Sequence, residues 1–301
     1  MIKFIQLSRR IYNVKRLKEY RRMAVFVLRS MAKKREMGEL FRFFEGSALR
    51  REISTQCPQF FEQATRHWFY HRSTFDERSA LIRDHFRFLE TRLSPEIIRR
   101  FYLGDGLVLW QGQLEDQPIV LWLGWRAGLK KEGMLFLDLA LGTNHVYQLV
   151  FWLSGASNDA MTLNIGALQG LKGGADVIQA LTKHLHGFRP KNLVLFAARI
   201  VAKALGVSRI RAVSNHGYYA NNHIRLDRKL KGSLDTFWEE AGGVIGEDPR
   251  FFELPVLEPR KTDEEIPPRK RSLYRKRFAL LDSMEAEMTA RFVRPRTPKA
   301  F

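Results

Sequence analysis

Apolar residues recur at helical spacing through the first hundred positions of the chain. Between residues 4 and 28 they stand three or four positions apart with arginine and lysine in the gaps, and this period predicts amphipathic helices. Thr74 and Glu77 form a capping box before a second amphipathic run, residues 80–93. Ser94 is placed to be the N-cap of one more short helix. The N-terminal third is therefore predicted to be helical.

Near Gly104 the pattern changes to short apolar or alternating runs separated by polar turns. Four of these runs predict a β-meander, and residues 161–169 form a fifth strand. Two helical segments follow, the second with Pro190 in its first turn and Gly206 at its C-terminal end. Residues 208–215 are then typical of another strand. The predicted fold class is α/β: an N-terminal helical region, then a mostly antiparallel sheet with flanking helices.

The positive charge is concentrated at the two ends of the chain. The net charge is +19. Residues 1–56 carry 15 Lys and Arg against 5 Asp and Glu, and residues 259–301 carry 12 against 6, so most of the excess lies at the two ends. We predict a basic helical region over 1–100, an α/β domain over 101–258, and a basic C-terminal extension over 259–301 with a helix.

Several classes of protein are disfavoured by what the sequence lacks. The single cysteine, Cys57, cannot form a disulfide framework. The N-terminal segment has basic residues throughout and no apolar core of a signal peptide. No apolar run approaches the roughly 20 residues that span a bilayer. These absences predict a cytoplasmic protein.

The basic ends have two functional interpretations. Arg and Lys alternating with Phe, Tyr and Leu on a helix suit the surface of an anionic membrane, which would place the protein at the inner membrane face. The same composition would bind nucleic acid through its phosphates. Because no recognised nucleic-acid-binding motif is present, we favour the membrane. Solvated helices without a partner are the third interpretation, and a protein partner stays open.

The centre of the chain, residues 161–215, is ordered as strand, glycine-bearing loop, helix and strand. Free N–H groups at a helix N-terminus suit a pyrophosphate. This order resembles the GNAT acyltransferase superfamily, which implies a GNAT-like sheet and an acyl-CoA cofactor. The superfamily's loop has Gln or Arg, two residues, Gly, one residue, then Gly or Ala. Gln169 and Gly174 match its ends, but Lys172 stands where the first glycine belongs.

On this resemblance, the loop and the first turn of the second helix hold the cofactor. The predicted cofactor-binding residues are Gln169, Lys172, Gly173, Gly174, Arg189, Lys191 and Asn192. Cations at a helix N-terminus oppose its dipole, so Arg189 and Lys191 indicate an anionic partner such as a phosphate. The alternative is an exposed first turn in a very basic protein. For Gln169, the alternative is an amide that hydrogen-bonds its own turn.

Ser214, Asn215, His216 and Tyr218 are the candidate catalytic residues. They follow the last strand of this unit, and strand ends are where α/β sheets place chemistry. His216 could serve as a general base, because its unperturbed pKa is about 6.5. Tyr218 or Tyr219 could donate a proton to a departing thiolate, as in GNAT-like sites. The alternative is a loop whose side chains stabilise its own turns.

The remaining histidines do not predict a metal site. His67 and His71 are four residues apart and would share one face of an aromatic helix, where packing is expected. His184 and His186 are two apart and point to different faces of their helix.

Several longer strings resemble the VirK/YbjX family of enterobacterial proteins, from about Phe41 to Asp282. They are GALQG, LHGFRPKNLVLFAARIVAKALGV, IRAVSN, FWEEAGG, FFELP and RKTDEEIPPRKRSLYRKRFALLD. The resemblance implies roles in virulence, intracellular survival and resistance to antimicrobial peptides, but no reaction. Two functions stay open: a GNAT-like acyltransferase acting on an envelope-related target, or a non-catalytic basic protein that docks on an anionic membrane or a protein partner.

Overall fold

The structure is a computed structural model that describes residues 2–13, 16–155, 161–222 and 233–292. Seven helices precede the sheet, as the apolar periodicity predicts. They are α1 (Ile2–Ile11), α2 (Leu17–Ala32), α3 (Lys34–Glu45), α4 (Ala48–Gln56), α5 (Gln59–Thr65), α6 (Phe75–Arg92) and α7 (Pro95–Leu103).

The sheet and four further helices make up the rest of the described chain. The strands are β1 (Leu107–Leu114), β2 (Gln117–Gly124), β3 (Leu135–Leu141), β4 (Asn144–Ser154), β5 (Thr162–Gly170), β6 (Arg209–Val213), β7 (Val244–Ile245) and β8 (Phe251–Leu254). The helices are α8 (Ala175–His184), α9 (Pro190–Leu205), α10 (Asp235–Glu240) and α11 (Arg271–Ala290). The predicted mixed α/β class, with a mostly antiparallel sheet, is confirmed.

Local signals in the sequence fix several of these helix ends. The Thr74 hydroxyl accepts a bond from the Glu77 N–H, and the Glu77 carboxylate accepts one from the Thr74 N–H, which completes the capping box of α6. At the start of α7 the Ser94 hydroxyl accepts a bond from the Ile97 N–H, without a reciprocal bond. Helix α9 ends at Gly206, whose φ of 70° lies in the left-handed region that glycine adopts without strain.

The strands lie in the order β1-β2-β3-β4-β5-β6-β8-β7, and β5 and β6 are the parallel pair among them. Their pairing covers only Thr162–Ile165 against Arg209–Ala212, whereas β5 continues along β4 to Gly170. Strand β5 has a bulge at Gly166. Ile165 pairs with Phe151 of β4 and Ala167 pairs with Val150, so Gly166 is the extra residue between these two pairs. The C-terminal half of β5 therefore has one edge that β6 does not cover.

One continuous hydrophobic core joins the helices and the sheet. It contains buried side chains of all eleven described helices and of the sheet. Helix α6 packs on β4, α9 packs across β3 to β6, and α11 packs on α9 and β1. The division at 100/101 and 258/259 stays a prediction. Among the described helices, none has the length and apolar composition that a bilayer crossing requires.

Two local predictions about histidines are wrong. Helix α8 ends at His184, so His186, at a φ of 52°, lies in the turn beyond it and not on a helix face. Helix α5 ends at Thr65, so His67 and His71 do not share a helix face. The segment that follows turns through Phe69, at a φ of 68°, and Tyr70 then forms an isolated β-bridge with Tyr218. The aromatic residues of this segment are not helical because they pack on the sheet. The ring centroid of Phe69 lies 5.3 Å from that of Trp152 on β4.

Candidate functional site

A buried glutamate lies over the bulge of β5. Glu132, in the turn before β3, is 5% exposed. Its backbone crosses Gly166 so closely that a Cβ at that glycine would lie 1.8 Å from the Glu132 carbonyl oxygen. Burial raises the pKa of Glu132 to about 7, because desolvation disfavours the charged carboxylate. This side chain therefore exchanges protons near neutral pH.

Two tyrosines connect Glu132 to the surface. Tyr219 is 8% exposed, and its side chain hydrogen-bonds with both Glu132 and Tyr218. Tyr218 is half-buried. Burial raises the pKa of both phenols, and the negative charge of Glu132 raises it further. Both phenols are therefore protonated at physiological pH, and the chain from Glu132 to Tyr218 can relay a proton. We call these three residues the relay.

The loop that carries the tyrosines is fastened by two of the predicted catalytic residues. The Ser214 hydroxyl donates to the Pro249 carbonyl at 2.7 Å and accepts from the Gly217 N–H at 2.9 Å. The Asn215 side chain accepts from the Leu234 N–H at 2.7 Å. These bonds favour the loop-stabilising alternative for Ser214 and Asn215, whose catalytic role stays a prediction.

Two histidines lie beside the relay. The rings of His71 and His216 meet edge to face with centroids 5.4 Å apart, and the His71 N–H donates to the Gly217 carbonyl. Burial lowers the pKa of His71, assisted by neighbouring cations, so its imidazole is neutral at pH 7. His216 is exposed. The predicted pair His216 and Tyr218 therefore comes together with a histidine from the N-terminal region.

A second acid–base pair occupies the same sheet. Asp138 on β3 is fully buried, and its carboxylate lies 2.5 Å from Nδ1 of His145, whose side chain is 46% exposed. Gln148 lies opposite Asp138 on β4. Burial raises the pKa of Asp138, and the contact with His145 opposes that rise. A buried acid that contacts a half-exposed histidine can orient the imidazole and hold its proton.

An apolar patch includes Tyr218 of the relay. The patch approaches the Asp138–His145 pair through Phe136, which lies two residues before Asp138 on β3. It consists of Phe136, Val150 and Ala167, covered by Trp122, Leu129 and Tyr218. The guanidinium of Arg126 lies 5.3 Å from the Phe136 ring centroid. The patch is covered by side chains of the 3₁₀ turn Ala127–Leu129 and of the relay. Movement of that turn would expose an apolar surface beside two acid–base groups.

The predicted cofactor loop follows β5 as expected. Gln169 is exposed and pairs with Gln148. Lys172 and Gly173 are also exposed, and Gly173 has a φ of 69° that glycine adopts readily. Gly174 is the residue before the first turn of α8. A ligand role for these four residues stays a prediction.

The cations at the start of α9 have a protein partner. Nζ of Lys191 lies 3.0 Å from the Glu240 carboxylate, and the Arg189 guanidinium lies 3.7 Å from it. Glu240 is therefore an anionic partner for Lys191 and Arg189, whereas the sequence indicated a bound ligand as that partner. Asn192 lines two adjoining cavities of about 310 and 240 Å³ beside α10 and α11.

Sequence reasoning missed the two buried acids for different reasons. Glu132 lies in the string KKEG, which is typical of an exposed turn, and only its burial distinguishes it. Asp138 offered a signal: it is the one charged residue in the apolar run LFLDLAL, and an acid inside a buried strand requires a partner.

Replacing Glu132 by glutamine is expected to stabilise the protein at pH 8 by up to about 3 kcal/mol. An unfolded glutamate loses its proton near pH 4.5, whereas folded Glu132 keeps it to about pH 7. Glu132 therefore lowers the free energy of unfolding as the pH rises through that window, and glutamine does not.

Urea unfolding of the wild type and E132Q at pH 4 and pH 8 measures the effect. E247Q, which changes an exposed glutamate, is the control and should match the wild type at both pH values. An equal difference between E132Q and the wild type at the two pH values would contradict the assignment.

Comparisons with known proteins give a family but no described activity. A family model described as a protein of unknown function (DUF535) matches residues 15–290. The uncharacterized protein YbjX of Escherichia coli (strain K12) is 38% identical over 135 residues, which are 44% of this chain and 41% of that protein. An uncharacterized protein of Haemophilus influenzae is 29% identical over 138 residues, 46% of each chain. The alignments thus span less than half of each relative. No solved structure matches the chain.

Proposed function

We propose a function from the premise that this chain belongs to the DUF535 family of proteins of unknown function. Its activity is acyl transfer from a coenzyme A thioester, with Glu132, Tyr219 and Tyr218 delivering the proton. The observation that carries this proposal is the relay itself. A buried acid that titrates near neutral pH and reaches a half-buried phenol is typical of catalytic sites.

The edge of β5 supports the choice of a coenzyme A thioester. Residues 166–170 run beyond the pairing with β6, so backbone groups on that edge can bind an extended, amide-bearing chain as an added strand. The pantetheine arm of coenzyme A is such a chain. Lys172 and the free N–H groups at the start of α8 follow directly and would meet the pyrophosphate.

Each proton transfer of the reaction can be assigned to a residue of the candidate site. The nitrogen or oxygen of the acceptor attacks the thioester carbonyl carbon, the bond from carbon to sulfur breaks, and the acceptor's proton passes to His216. The departing thiolate takes a proton from Tyr218, which regains one from Glu132 through Tyr219. The net donor is Glu132, with a pKa of about 7, and the net acceptor is a thiolate with a pKa of about 8.5. Proton delivery is therefore favourable.

The acceptor belongs in this proposal to the cell envelope or its regulation, as an amine or hydroxyl group. The VirK/YbjX resemblance supports that class through the phenotypes it implies. The non-catalytic alternative keeps two observations in its favour: Lys172 replaces the first glycine of the loop, and Glu240 already pairs with Lys191 and Arg189 at the start of α9.

Calorimetric titration tests the binding step. Acetyl-CoA and a long-chain acyl-CoA are titrated into the full chain, and heat is expected with at least one of them. K172A is expected to weaken binding about tenfold through the loss of a phosphate contact. K183A is the matched control because Lys183 is an exposed lysine at the other end of α8.

Thiol release then tests the relay. Y218F should slow the release of coenzyme A about a hundredfold with little change in thioester affinity, because general acid catalysis contributes on that order. Absence of heat with every thioester would overturn the proposal. Unchanged thiol release by Y218F would remove Tyr218 from the mechanism.

A further inference from the structure

Helix α2 has a buried apolar face and, beside it, a second row of apolar side chains that face outward. Met23, Phe26 and Val27 face the core, with Phe26 fully buried. Leu17, Tyr20, Leu28 and Met31 face outward and are 91, 55, 66 and 44% exposed. A helix at the surface of a single domain needs one apolar face, so the outward face is without a function in the fold.

The outward residues form a continuous stripe. At 3.6 residues per turn, positions 17, 20, 24, 28 and 31 fall within about a third of the helix circumference. Ala24, in the middle, is also exposed. We call Leu17, Tyr20, Ala24, Leu28 and Met31 the outer stripe. An exposed apolar patch of this length on a helix indicates an interaction surface.

The surroundings of the outer stripe are strongly cationic. Residues 16–35 contain eight Lys and Arg against a single Glu. Lys18 and Arg21 lie beside the stripe and form no ion pair with any residue in the described ranges. Among the described residues, the ion-pair partner of Arg22 is Glu19, on its own helix. The partner must therefore accept an apolar helix face and several positive charges together.

We infer that the outer stripe binds the surface of a membrane rich in anionic phospholipid. Such a helix lies in the interface, its apolar side chains among the acyl chains and its cations among the headgroups. A second copy of the chain fits less well, because pairing two stripes would bring their unpaired cations together without carboxylates between them. This inference is independent of the acyl-transfer proposal, whose residues lie elsewhere on the chain.

Vesicle flotation with the full chain tests it. Vesicles of phosphatidylglycerol and phosphatidylcholine in equal parts are compared with phosphatidylcholine alone. Binding to the anionic vesicles is expected to be at least about tenfold tighter, and to weaken between about 0.05 and 0.5 M salt. The double variant L17E/L28E should lose at least about tenfold in anionic-vesicle binding, because each change removes an apolar anchor and adds a negative charge.

The control is L257E, which alters a leucine that is 70% exposed in another part of the molecule; it should bind like the wild type. Circular dichroism of each variant verifies that the fold is kept. Equal flotation with the two vesicle types, or full binding by L17E/L28E, would overturn the inference. So would light scattering in which the wild type is dimeric and L17E/L28E monomeric, because the stripe would then bind a second copy.

Discussion

Replacing Gly166 by alanine is expected to lower the free energy of unfolding by about 3 kcal/mol or more. The added Cβ would lie 1.8 Å from the Glu132 carbonyl oxygen and 2.9 Å from the Trp152 ring. The first of these atoms belongs to the backbone and cannot turn aside. To admit the methyl group, the turn before β3 must lift off the bulge of β5, and the relay would move with it.

Gly38→Ala is the matched control, because it makes the same substitution where no atom lies within 4 Å of the new Cβ. Gly38 is inside α3, so alanine there should stabilise the protein by about 0.5–1 kcal/mol. Urea unfolding of both variants is the measurement. If G166A unfolds at the same urea concentration as the wild type, Glu132 does not cross the bulge as described.

Replacing His85 by leucine is expected to cost about 3 kcal/mol of stability at pH 7. The imidazole is fully buried: Nδ1 accepts from the Leu153 N–H at 3.0 Å, and Nε2 lies 2.6 Å from the Tyr102 hydroxyl. Leucine fills the space but leaves a buried N–H and a buried hydroxyl without these partners.

The same histidine makes stability depend on pH. Burial lowers the pKa of His85 from 6.5 to about 3, so only the unfolded chain takes up this proton between those values. The contribution of His85 to the free energy of unfolding is therefore complete above pH 6.5. It is lost as the pH falls, by at most about 1.4 kcal/mol per pH unit. H85L should lose less stability than the wild type between pH 7 and pH 5. A parallel decline of the two proteins would refute the buried neutral imidazole.

Periodicity was sufficient for most of the fold because each element carries its own signal. The capping box of Thr74 and Glu77, and Gly206 after α9, mark helix ends through bonds within a few residues. The segment around Tyr70 could not be predicted in this way. Its aromatic run is compatible with a helix, and the decision comes from contacts with residues far along the chain, such as Tyr218.

In the candidate site, too, some features follow from local sequence signals and others depend on contacts far along the chain. That His216 and Tyr218 lie in a loop after β6 was predictable, because the strand signal of residues 208–215 ends just before them. That Glu132 and His71 lie close to this loop was not predictable, because it depends on contacts between elements far apart in the chain. The cations at the start of α9 are visible in the sequence, but the carboxylate that pairs with them lies about 50 residues later, at Glu240, and could not be predicted.

The β-bridge between Tyr70 and Tyr218 also bears on how the chain must be made. These residues are about 150 positions apart, so the aromatic segment at Tyr70 leaves the ribosome long before its partner exists. Until then Phe69 can pack on Trp152 of β4, but Tyr70 lacks its bridge partner, and the aromatic segment is only partly covered. A fragment that ends before residue 218 would keep that exposure permanently. Soluble material for every experiment above is therefore best obtained from the unbroken chain.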